Sequence, residues 1–235
     1  MGSWVELLKE QAKIKGIVLS DEHLRLFAKH MEILLDYNGK MNLTAIKEPE
    51  QIAIKHYLDS LSILTHVDIP QEAKLIDIGT GAGFPGVSLK IVRPDIKLTL
   101  LDSQKKKADF LKLLTNDLGL QAEIIHGRAE ELGKLPEYRE VFDVVTARSV
   151  ANLTQLAELC IPYIRVGGSF IAMKGTDMEE YSPETVKILG GEISDMYNFE
   201  LYKETYRQLI IIKKISQTSP QFPRKFAKIS KKQPG

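Results

Sequence analysis

The sequence predicts an α/β protein in which an N-terminal helical subdomain precedes a mostly parallel sheet that ends in an antiparallel C-terminal hairpin. Two patterns predict this architecture. Over residues 3–66, apolar side chains recur at three- and four-residue spacing, as in amphipathic helices. From about residue 73, short apolar runs alternate with amphipathic stretches, and strands that alternate with helices pair in parallel through right-handed crossovers.

The helical part contains one well-marked helix, which starts after Ser20. Ser20 is a suitable N-cap because its hydroxyl can accept a hydrogen bond from a free backbone N–H group of the first turn. Asp21 and Glu22 place negative charge in that turn, where the helix dipole favours it. We expect Asn38 and Gly39 to end this helix.

The second part supplies the strands and helices of the sheet. Strands are predicted at 75–78, 96–101, 121–126, 142–147 and 169–173, and helices at 85–93, 104–118 and 152–165. Two further strand-like segments, 200–203 and 208–213, flank a short polar stretch and predict the hairpin. The expected organisation is therefore a helical subdomain over 1–70, a sheet domain over 71–214 and a basic tail over 215–235.

The composition is that of a globular protein. Of 235 residues, 43% are hydrophobic and 27% charged. The apolar runs are much shorter than the roughly 20 residues of a membrane span, and residues 1–10 lack a signal-like apolar block. The single cysteine, Cys160, excludes an internal disulfide and a cysteine-based metal site, and its apolar neighbours indicate a core residue. We expect a cytoplasmic protein that needs neither a membrane nor a metal.

The positive charge is concentrated at the C-terminal end. Residues 213–235 contain seven basic residues and no acidic one, although the whole chain has a formal net charge of only +1. The preceding residues therefore have a net charge of about −6. Such a tail either attracts phosphate backbones or is simply a solvated terminus.

The most informative segment is the glycine-rich loop at 79–86, which follows the first strand and leads into a helix. Glycines let the backbone turn tightly and approach a ligand closely. Open α/β sheets bind ligands at the carboxyl ends of their strands, where this loop is predicted to lie. Its 81–86 part has the G-x-G-x-x-G spacing of a dinucleotide site, and Asp102 stands about 20 residues further on, where it could bind ribose hydroxyls.

Two features favour an adenosyl cofactor over a nicotinamide dinucleotide. Asp77 places a carboxylate near the end of the first strand, directly before the glycine-rich loop. This arrangement resembles motif I of the Rossmann-like methyltransferases. Phe84 and Pro85 offer an apolar wall at the helix start, where a pyrophosphate needs free N–H groups. Glu130, just after the third strand, is placed to face an adenine, although a carboxylate there is also ordinary at a helix N-terminus. A nicotinamide-dependent oxidoreductase stays open as the alternative.

Seven segments together resemble the glucose-inhibited division protein B family over nearly the whole chain. They are Asn42-Leu43-Thr44-Ala45-Ile46, His56-Tyr57-Leu58-Asp59-Ser60-Leu61, the loop from Asp77 to Gly86, Leu101-Asp102-Ser103, Gly127-Arg128-Ala129-Glu130, Ala147-Arg148-Ser149-Val150-Ala151 and Lys174-Gly175. The resemblance implies a Rossmann-like class I methyltransferase sheet and transfer of a methyl group from S-adenosylmethionine to N7 of a guanosine in 16S ribosomal RNA. It also implies cofactor contacts at Gly79, Phe84, Ala129, Glu130 and Arg148, to which the ribose argument adds Asp102.

The family usually ends with Tyr-Pro-Arg and Lys-Pro, where this chain has Phe222-Pro223-Arg224 and Lys232-Gln233-Pro234. The partner that the resemblance implies is 16S ribosomal RNA or the small ribosomal subunit, bound by a monomer.

The chemistry of N7 methylation fits these residues. Guanine N7 has an in-plane lone pair, so the enzyme needs alignment of the reactants more than a general base. The Asn/Asp-Pro-Pro-aromatic segment of amino methylation is replaced here by Thr146-Ala147-Arg148-Ser149-Val150. We expect Arg148 to be the catalytic residue, holding the cofactor and orienting guanine, although it could instead pair with an acidic neighbour such as Glu130.

His56, Asp59 and Ser60 have the spacing of a catalytic trio. The same spacing is ordinary on a helix surface, and we favour that structural interpretation. A non-catalytic ribosome-assembly factor with the same fold is a third functional hypothesis for the whole chain.

Several lysines are candidate RNA contacts. They are Lys105, Lys106 and Lys107, together with Lys40, Lys47 and Lys55.

Overall fold

The structure, a computed structural model, describes residues 2–148, 152–175 and 182–229. Its strands are β1 Lys74–Ile78, β2 Lys97–Asp102, β3 Ala122–His126, β4 Phe142–Arg148, β5 Ile164–Lys174, β6 Gly191–Tyr202 and β7 Thr205–Lys214. They form one sheet in the order β3-β2-β1-β4-β5-β7-β6. The first five strands are parallel, and β7 is antiparallel to both β5 and β6. The predicted fold class is confirmed.

Helices precede the sheet and cover both of its faces. They are α1 Ser3–Ile14, α2 Asp21–Met41, α3 Pro49–Ile52, α4 Asp59–Leu61, α5 Ile63–His66, α6 Gly86–Val92, α7 Lys105–Leu118, α8 Ala129–Leu132, α9 Leu153–Cys160, α10 Pro183–Ile188 and α11 Phe226–Ile229. A π-helical turn, Ala53–Leu58, joins α3 to α4. One apolar cluster packs α1, α2, α6 and α7 on the sheet, and the other packs α9 and α10 on the opposite face. In the ranges given above, no helix has both the length and the apolarity to cross a membrane.

Helix α2 begins where the sequence predicts and ends later. The Ser20 hydroxyl accepts a hydrogen bond from the His23 backbone N–H (3.2 Å), and the His23 ring accepts one from the Ser20 backbone, which confirms the N-cap. The predicted end at Asn38 and Gly39 is wrong. Asn38 remains helical because it is buried and its amide exchanges two hydrogen bonds with the Thr44 backbone. Asn42, with φ at 50°, ends the helix instead.

The helix predicted over 152–165 is too long at its C-terminal end. Helix α9 ends at Cys160, Pro162 follows in a short 3-10 turn, and β5 already starts at Ile164. Proline explains the early end because it has no N–H to donate to the preceding turn. Strand β6 is much longer than the predicted segment 200–203, since its many exposed polar positions hide its strand character.

The strand order reverses between β1 and β4, and this reversal positions the site. Parallel strands on the two sides of such a point send their connections to opposite faces, which leaves a crevice at their carboxyl ends. Asp77 of β1 lies beside Thr146 of β4 in the sheet register. The glycine-rich loop therefore follows β1 into this crevice, and Arg148 ends β4 at its other side.

The chain after β7 packs against the second face of the sheet. Phe222 is buried in the apolar cluster there, and the Arg139 guanidinium donates to the carbonyl oxygens of Thr218 (2.6 Å) and Phe222 (2.8 Å). Arg224 forms a bidentate ion pair with Glu158, a carboxylate that is only 1% exposed. Lysines 231 and 232 of the basic tail lie outside the described residues.

The pair of Arg224 and Glu158 predicts a clear stability effect. Arg224→Ala leaves the Glu158 carboxylate buried without its charged partner, and removing one member of such a pair costs about 3–5 kcal/mol. The free energy of unfolding, measured by urea denaturation, should fall by that amount. Arg165→Ala is the matched control because it breaks a more exposed arginine–carboxylate pair with Asp143, and it should cost about 1 kcal/mol or less. Equal losses in the two variants would contradict the anchoring role of Arg224.

Candidate active site

A buried carboxylate, Asp77, organises the crevice at the end of β1. One of its oxygens, Oδ2, accepts hydrogen bonds from the Thr80 hydroxyl (2.6 Å) and the Gly86 backbone N–H (2.9 Å). The other, Oδ1, accepts one from the Thr146 hydroxyl (3.0 Å). Burial raises the pKa of Asp77 to about 6, and these three hydrogen bonds limit the rise. The carboxylate thereby connects β1, the glycine-rich loop, α6 and β4.

The loop makes a concave backbone surface at Gly79 and Gly81. Both residues have positive φ values, 71° and 59°, and a Cβ atom on either would meet no protein atom within 4 Å. Open space beside a left-handed glycine backbone is what a closely approaching ligand needs. Gly86 is required for a different reason, since a Cβ there would lie 2.6 Å from the Leu100 side chain.

The first two N–H groups of α6 are already used within the loop. Gly86 donates to Asp77, and Val87 donates to the Gly83 carbonyl (2.8 Å). The N–H groups of Gly83 and Phe84 both donate to the Thr80 carbonyl. A pyrophosphate needs free donors and a positive field at a helix start, and here it would meet bonded donors and a carboxylate. This arrangement favours a ligand with a positive centre.

Asp102 lies at the end of β2, on the far side of the loop. Its carboxylate accepts hydrogen bonds from the backbone N–H groups of Gly81 (3.1 Å) and Gln104 (2.8 Å). Each carboxylate oxygen has a second lone pair, so these bonds leave acceptor capacity for ribose hydroxyls. Asp102 is only 5% exposed. Its hydrogen bond to Gly81 fixes the carboxylate and the loop relative to each other.

Arg148, at the end of β4, is held by the helical subdomain. Its guanidinium donates to the Lys55 carbonyl (3.0 Å) and lies 3.5 Å from an Asp59 carboxylate oxygen. Arg207 of β7 donates from Nε to the same carboxylate at 3.1 Å. Burial raises the pKa of Asp59, and the two guanidinium groups oppose that shift. Arg148 is therefore paired with an acidic residue, as the alternative interpretation held, but the partner is Asp59 and not Glu130.

The Phe84 ring packs against the Arg148 guanidinium and does not form an open apolar wall of the crevice. It is 3% exposed and stacks on His56 and His30, with ring centroids 4.7 and 5.1 Å away. The Arg148 guanidinium carbon lies 5.1 Å from the Phe84 centroid. We expected an apolar wall facing the ligand, but the ring instead packs under Arg148 and into the helical subdomain. The π-helical turn places Lys55 and His56 beside it, and such turns are frequent at functional sites.

His56 does not form the catalytic trio that its spacing allowed. Its Nε2 lies 2.8 Å from the Thr44 hydroxyl, and its Nδ1 lies 3.0 Å from the Lys55 carbonyl. Burial lowers the pKa of His56 to about 3, and the Arg148 charge adds to the decrease. The Ser60 hydroxyl donates to the His56 backbone, and Asp59 pairs with the arginines. These contacts make His56 a structural residue, but the predicted position on a helix surface is wrong, because His56, Asp59 and Ser60 are all buried.

The segment after β3 places Ala129 and Glu130 at the start of α8. Glu130 is 8% exposed, and its Oε1 accepts a hydrogen bond from Arg128 Nε at 2.6 Å. The Ala129 carbonyl accepts one from the Tyr163 hydroxyl at 2.7 Å. β3 pairs with β2, so this segment lies beside Asp102 at the same edge of the sheet.

Sequence reasoning missed the partnership of Asp59, Arg148 and Arg207. These residues belong to the helical subdomain, β4 and β7, and are separated by 89 and 59 positions along the chain. No local spacing connects them. Ser149, Val150 and Ala151, which follow Arg148 in the predicted motif, lie outside the described residues.

Comparison with protein families gives a match over most of the chain. Residues 23–204 match the family GidB, described as rRNA small subunit methyltransferase G. The chain is 44% identical over 231 residues to the ribosomal RNA small subunit methyltransferase G of Alkaliphilus oremlandii, covering 96% of this chain and 97% of that protein. It is 48% identical over 225 residues to the protein of the same name from Caldanaerobacter subterraneus, covering 94% of each.

Solved structures support the fold. A SAM-dependent methyltransferase from Aquifex aeolicus aligns with a TM-score of 0.55 at 15% identity, covering 73% of this chain and 96% of that one. MtNAS in complex with MTA and tNA aligns with a TM-score of 0.57 at 14% identity, covering 90% and 76%. At this identity the likeness concerns the arrangement of strands and helices alone.

The buried His30 beside the loop predicts a pH effect on stability. Its Nε2 bonds to the Ala82 carbonyl (3.3 Å), and burial lowers its pKa from 6.5 to about 4. Between these values the unfolded chain binds a proton that the folded protein does not, so stability falls as the pH decreases below about 6.5. From pH 7 to 5 the wild type should lose about 2 kcal/mol more than His30→Gln in urea denaturation. Parallel pH curves for the two proteins would refute this.

Proposed function

The chain belongs to the GidB family of rRNA small subunit methyltransferases G, and we propose that it transfers the methyl group of S-adenosylmethionine to N7 of a guanosine in 16S ribosomal RNA. The observation that carries the proposal is the state of the loop after β1. Its backbone is open at Gly79 and Gly81, while the Gly86 N–H at the start of α6 donates to the Asp77 carboxylate and the Val87 N–H to the Gly83 carbonyl.

The residues of the crevice fit the proposed cofactor. The carboxylate of Asp77 favours a sulfonium, which is positively charged, and disfavours a pyrophosphate by the same electrostatics. Gly79 would contact the methionine part, Asp102 the ribose, and Ala129 with Glu130 the adenine. Phe84 would support the Arg148 guanidinium from beneath and would contact the cofactor little, because its ring is buried. When bound, S-adenosylmethionine supplies an electrophilic methyl group.

The residues near Arg148 suit a nucleophile that needs no deprotonation. Guanine N7 attacks through its own lone pair, and the enzyme must chiefly hold it in line with the methyl group. Both ring nitrogens of His56 are bonded within the protein, as is Nε2 of His30, and burial lowers the pKa of both histidines. Burial raises the pKa of the Cys160 thiol well above its ordinary value, which makes it a poor nucleophile.

Arg148 is the residue that we assign to guanine. Asp59 and the Lys55 carbonyl hold one side of its guanidinium, and Phe84 supports its face. The side chain remains 22% exposed, and we infer that the donors not held by Asp59 and Lys55 face the crevice. A guanidinium fixed in this way could donate to guanine O6 and leave N7 free to react.

Lysines next to the crevice suit an RNA partner. Lys105, Lys106 and Lys107 occupy the first turn of α7, which starts three residues after Asp102, and the first two are exposed. Cations there oppose the helix dipole, which costs the helix about 0.3–1 kcal/mol each. A phosphate backbone at the mouth of the crevice would offset this cost. We propose 16S ribosomal RNA or the small subunit as the partner of a cytoplasmic monomer.

The alternatives differ in what they bind and transfer. Membership in a methyltransferase family removes the nicotinamide-dependent oxidoreductase as a competing function. A ribosome-assembly factor that keeps the fold without catalysis would bind RNA and the cofactor and transfer nothing.

The decisive test is methyl transfer itself. Purified protein, labelled S-adenosylmethionine and either naked 16S RNA or small subunits from a strain lacking the gene should yield labelled 7-methylguanosine on nucleoside analysis. Subunits from the intact strain should accept no label, since their guanosine is already methylated. Cofactor binding without transfer to either substrate would favour the assembly-factor hypothesis, and label in another nucleoside would overturn the assignment to N7.

Substitution of Arg148 tests its assigned role. Removing one positioned donor in an active site commonly costs about 100- to 1,000-fold in rate, so Arg148→Ala should lower kcat by that order. Arg148→Lys should recover little, because a lysine lacks the planar fork. Circular dichroism and thermal unfolding would show that each variant remains folded. Turnover at the wild-type rate in folded Arg148→Ala would remove the catalytic role.

A further inference from the structure

The segment after β7, residues 216–229, lies beyond the part of the chain that matches the family model, residues 23–204. We call it the C-terminal brace. Two anchors described above fix its beginning and middle: the Arg139 guanidinium, which binds its carbonyl groups, and the ion pair of Arg224 with Glu158. The third anchor involves Glu140. Its carboxylate pairs with the buried Lys214 at 3.0 Å and accepts a hydrogen bond from the Thr218 backbone N–H at 2.7 Å.

These anchors direct the end of the brace to the segment after β3. Phe226, in α11, lies over Arg128, with 5.1 Å between the ring centroid and the guanidinium carbon. The same guanidinium donates from Nε to Glu130 Oε1 at 2.6 Å. A continuous chain of contacts thus runs from the brace through Arg128 to the carboxylate that we place at the adenine.

The exposure of these groups shows that Phe226 is not a core residue. Its side chain is 45% exposed, and the Arg128 side chain is 48% exposed, whereas Glu130 is nearly buried. An exposed arginine has many rotamers, and a cation–π contact restricts them. The ring therefore limits the motion of the one charged group that binds Glu130 among the described residues.

The brace reaches α8 by a second route. Arg139 Nη1 donates both to the Gly133 carbonyl (3.0 Å), just after α8, and to the Phe222 carbonyl. Tyr163 holds the other end of α8 through the Ala129 carbonyl. A helix of four residues has little stability of its own, so such external contacts determine its position.

We propose that the C-terminal brace positions Ala129 and Glu130 for the adenosine part of the cofactor, with Phe226 as a positioning residue that acts through Arg128. The inference rests on the proposed function, since it assumes that S-adenosylmethionine occupies the crevice. In this proposal Phe226 acts on the cofactor only through its contact with Arg128. Its loss weakens cofactor binding without removing a cofactor contact.

The test is a double-substitution cycle read by calorimetric titration with S-adenosylhomocysteine on the full-length protein. Phe226→Leu keeps an apolar side chain but removes the ring face, and should raise the Kd roughly two- to fivefold. Phe226→Tyr keeps the ring and should bind as the wild type does. Val166→Ala is the matched control, because Val166 is similarly exposed (49%) near the amino-terminal end of β5, at the opposite edge of the sheet from the crevice.

The second arm combines Phe226→Leu with Glu130→Gln. If Phe226 acts through Arg128 and Glu130, its substitution should change the Kd little once the carboxylate is gone. If Phe226 has a merely structural effect, the fold-changes in Kd of Phe226→Leu and Glu130→Gln should multiply in the double variant. That result would overturn the proposed role of the brace. An unchanged Kd in Phe226→Leu alone would overturn it as well. Thermal unfolding of every variant separates loss of fold from loss of positioning. Failure of the wild type to bind S-adenosylhomocysteine would overturn the proposed function together with the brace, whereas the other outcomes concern the brace alone.

Discussion

The site depends on one buried carboxylate at the point where the strand order reverses. Asp77 accepts hydrogen bonds from a loop hydroxyl, from the first N–H group of α6 and from a side chain of the neighbouring strand. A buried charge is tolerated only when such partners compensate for its lost hydration, so the carboxylate requires the loop to adopt this shape. In return it gives the crevice a negative field. The backbone cradle at Gly79 and Gly81 follows from this interaction, and the proposed binding of a positively charged cofactor is based on it.

The helical subdomain is part of the site rather than an appendage to the sheet. It supplies the Asp59 carboxylate and the Lys55 carbonyl that hold Arg148, and the two histidine rings that enclose Phe84. Each of these contacts crosses from the subdomain to the crevice. Any shift of the subdomain against the sheet would therefore change the direction of the Arg148 guanidinium, and the shared apolar cluster opposes such a shift.

The features that could be predicted from the sequence are those that depend on neighbouring residues. The Ser20 cap, the glycine loop and the end of the predicted helix 104–118 arise from backbone chemistry within a few positions, and the structure has all three. Features that depend on distant partners could not be predicted in the same way. Asn38 continues α2 because Thr44 satisfies its amide, and Arg148 turns to Asp59 because the subdomain brings that carboxylate to β4. In both cases a tertiary contact outweighed the local preference on which the prediction was based.

The same distinction applies to the positive charge of the C-terminal end. Counted along the sequence, its seven basic residues suggested a tail for RNA. In the structure Lys214 is buried against Glu140, and Arg224 is paired with Glu158, so neither charge is available to a phosphate backbone. These two residues hold the chain against the sheet, while Lys225 and Lys228 remain exposed. Formal charge thus overstates the number of cations in this segment that an RNA could reach, and the proposed RNA contact at the crevice rests on the lysines of α7.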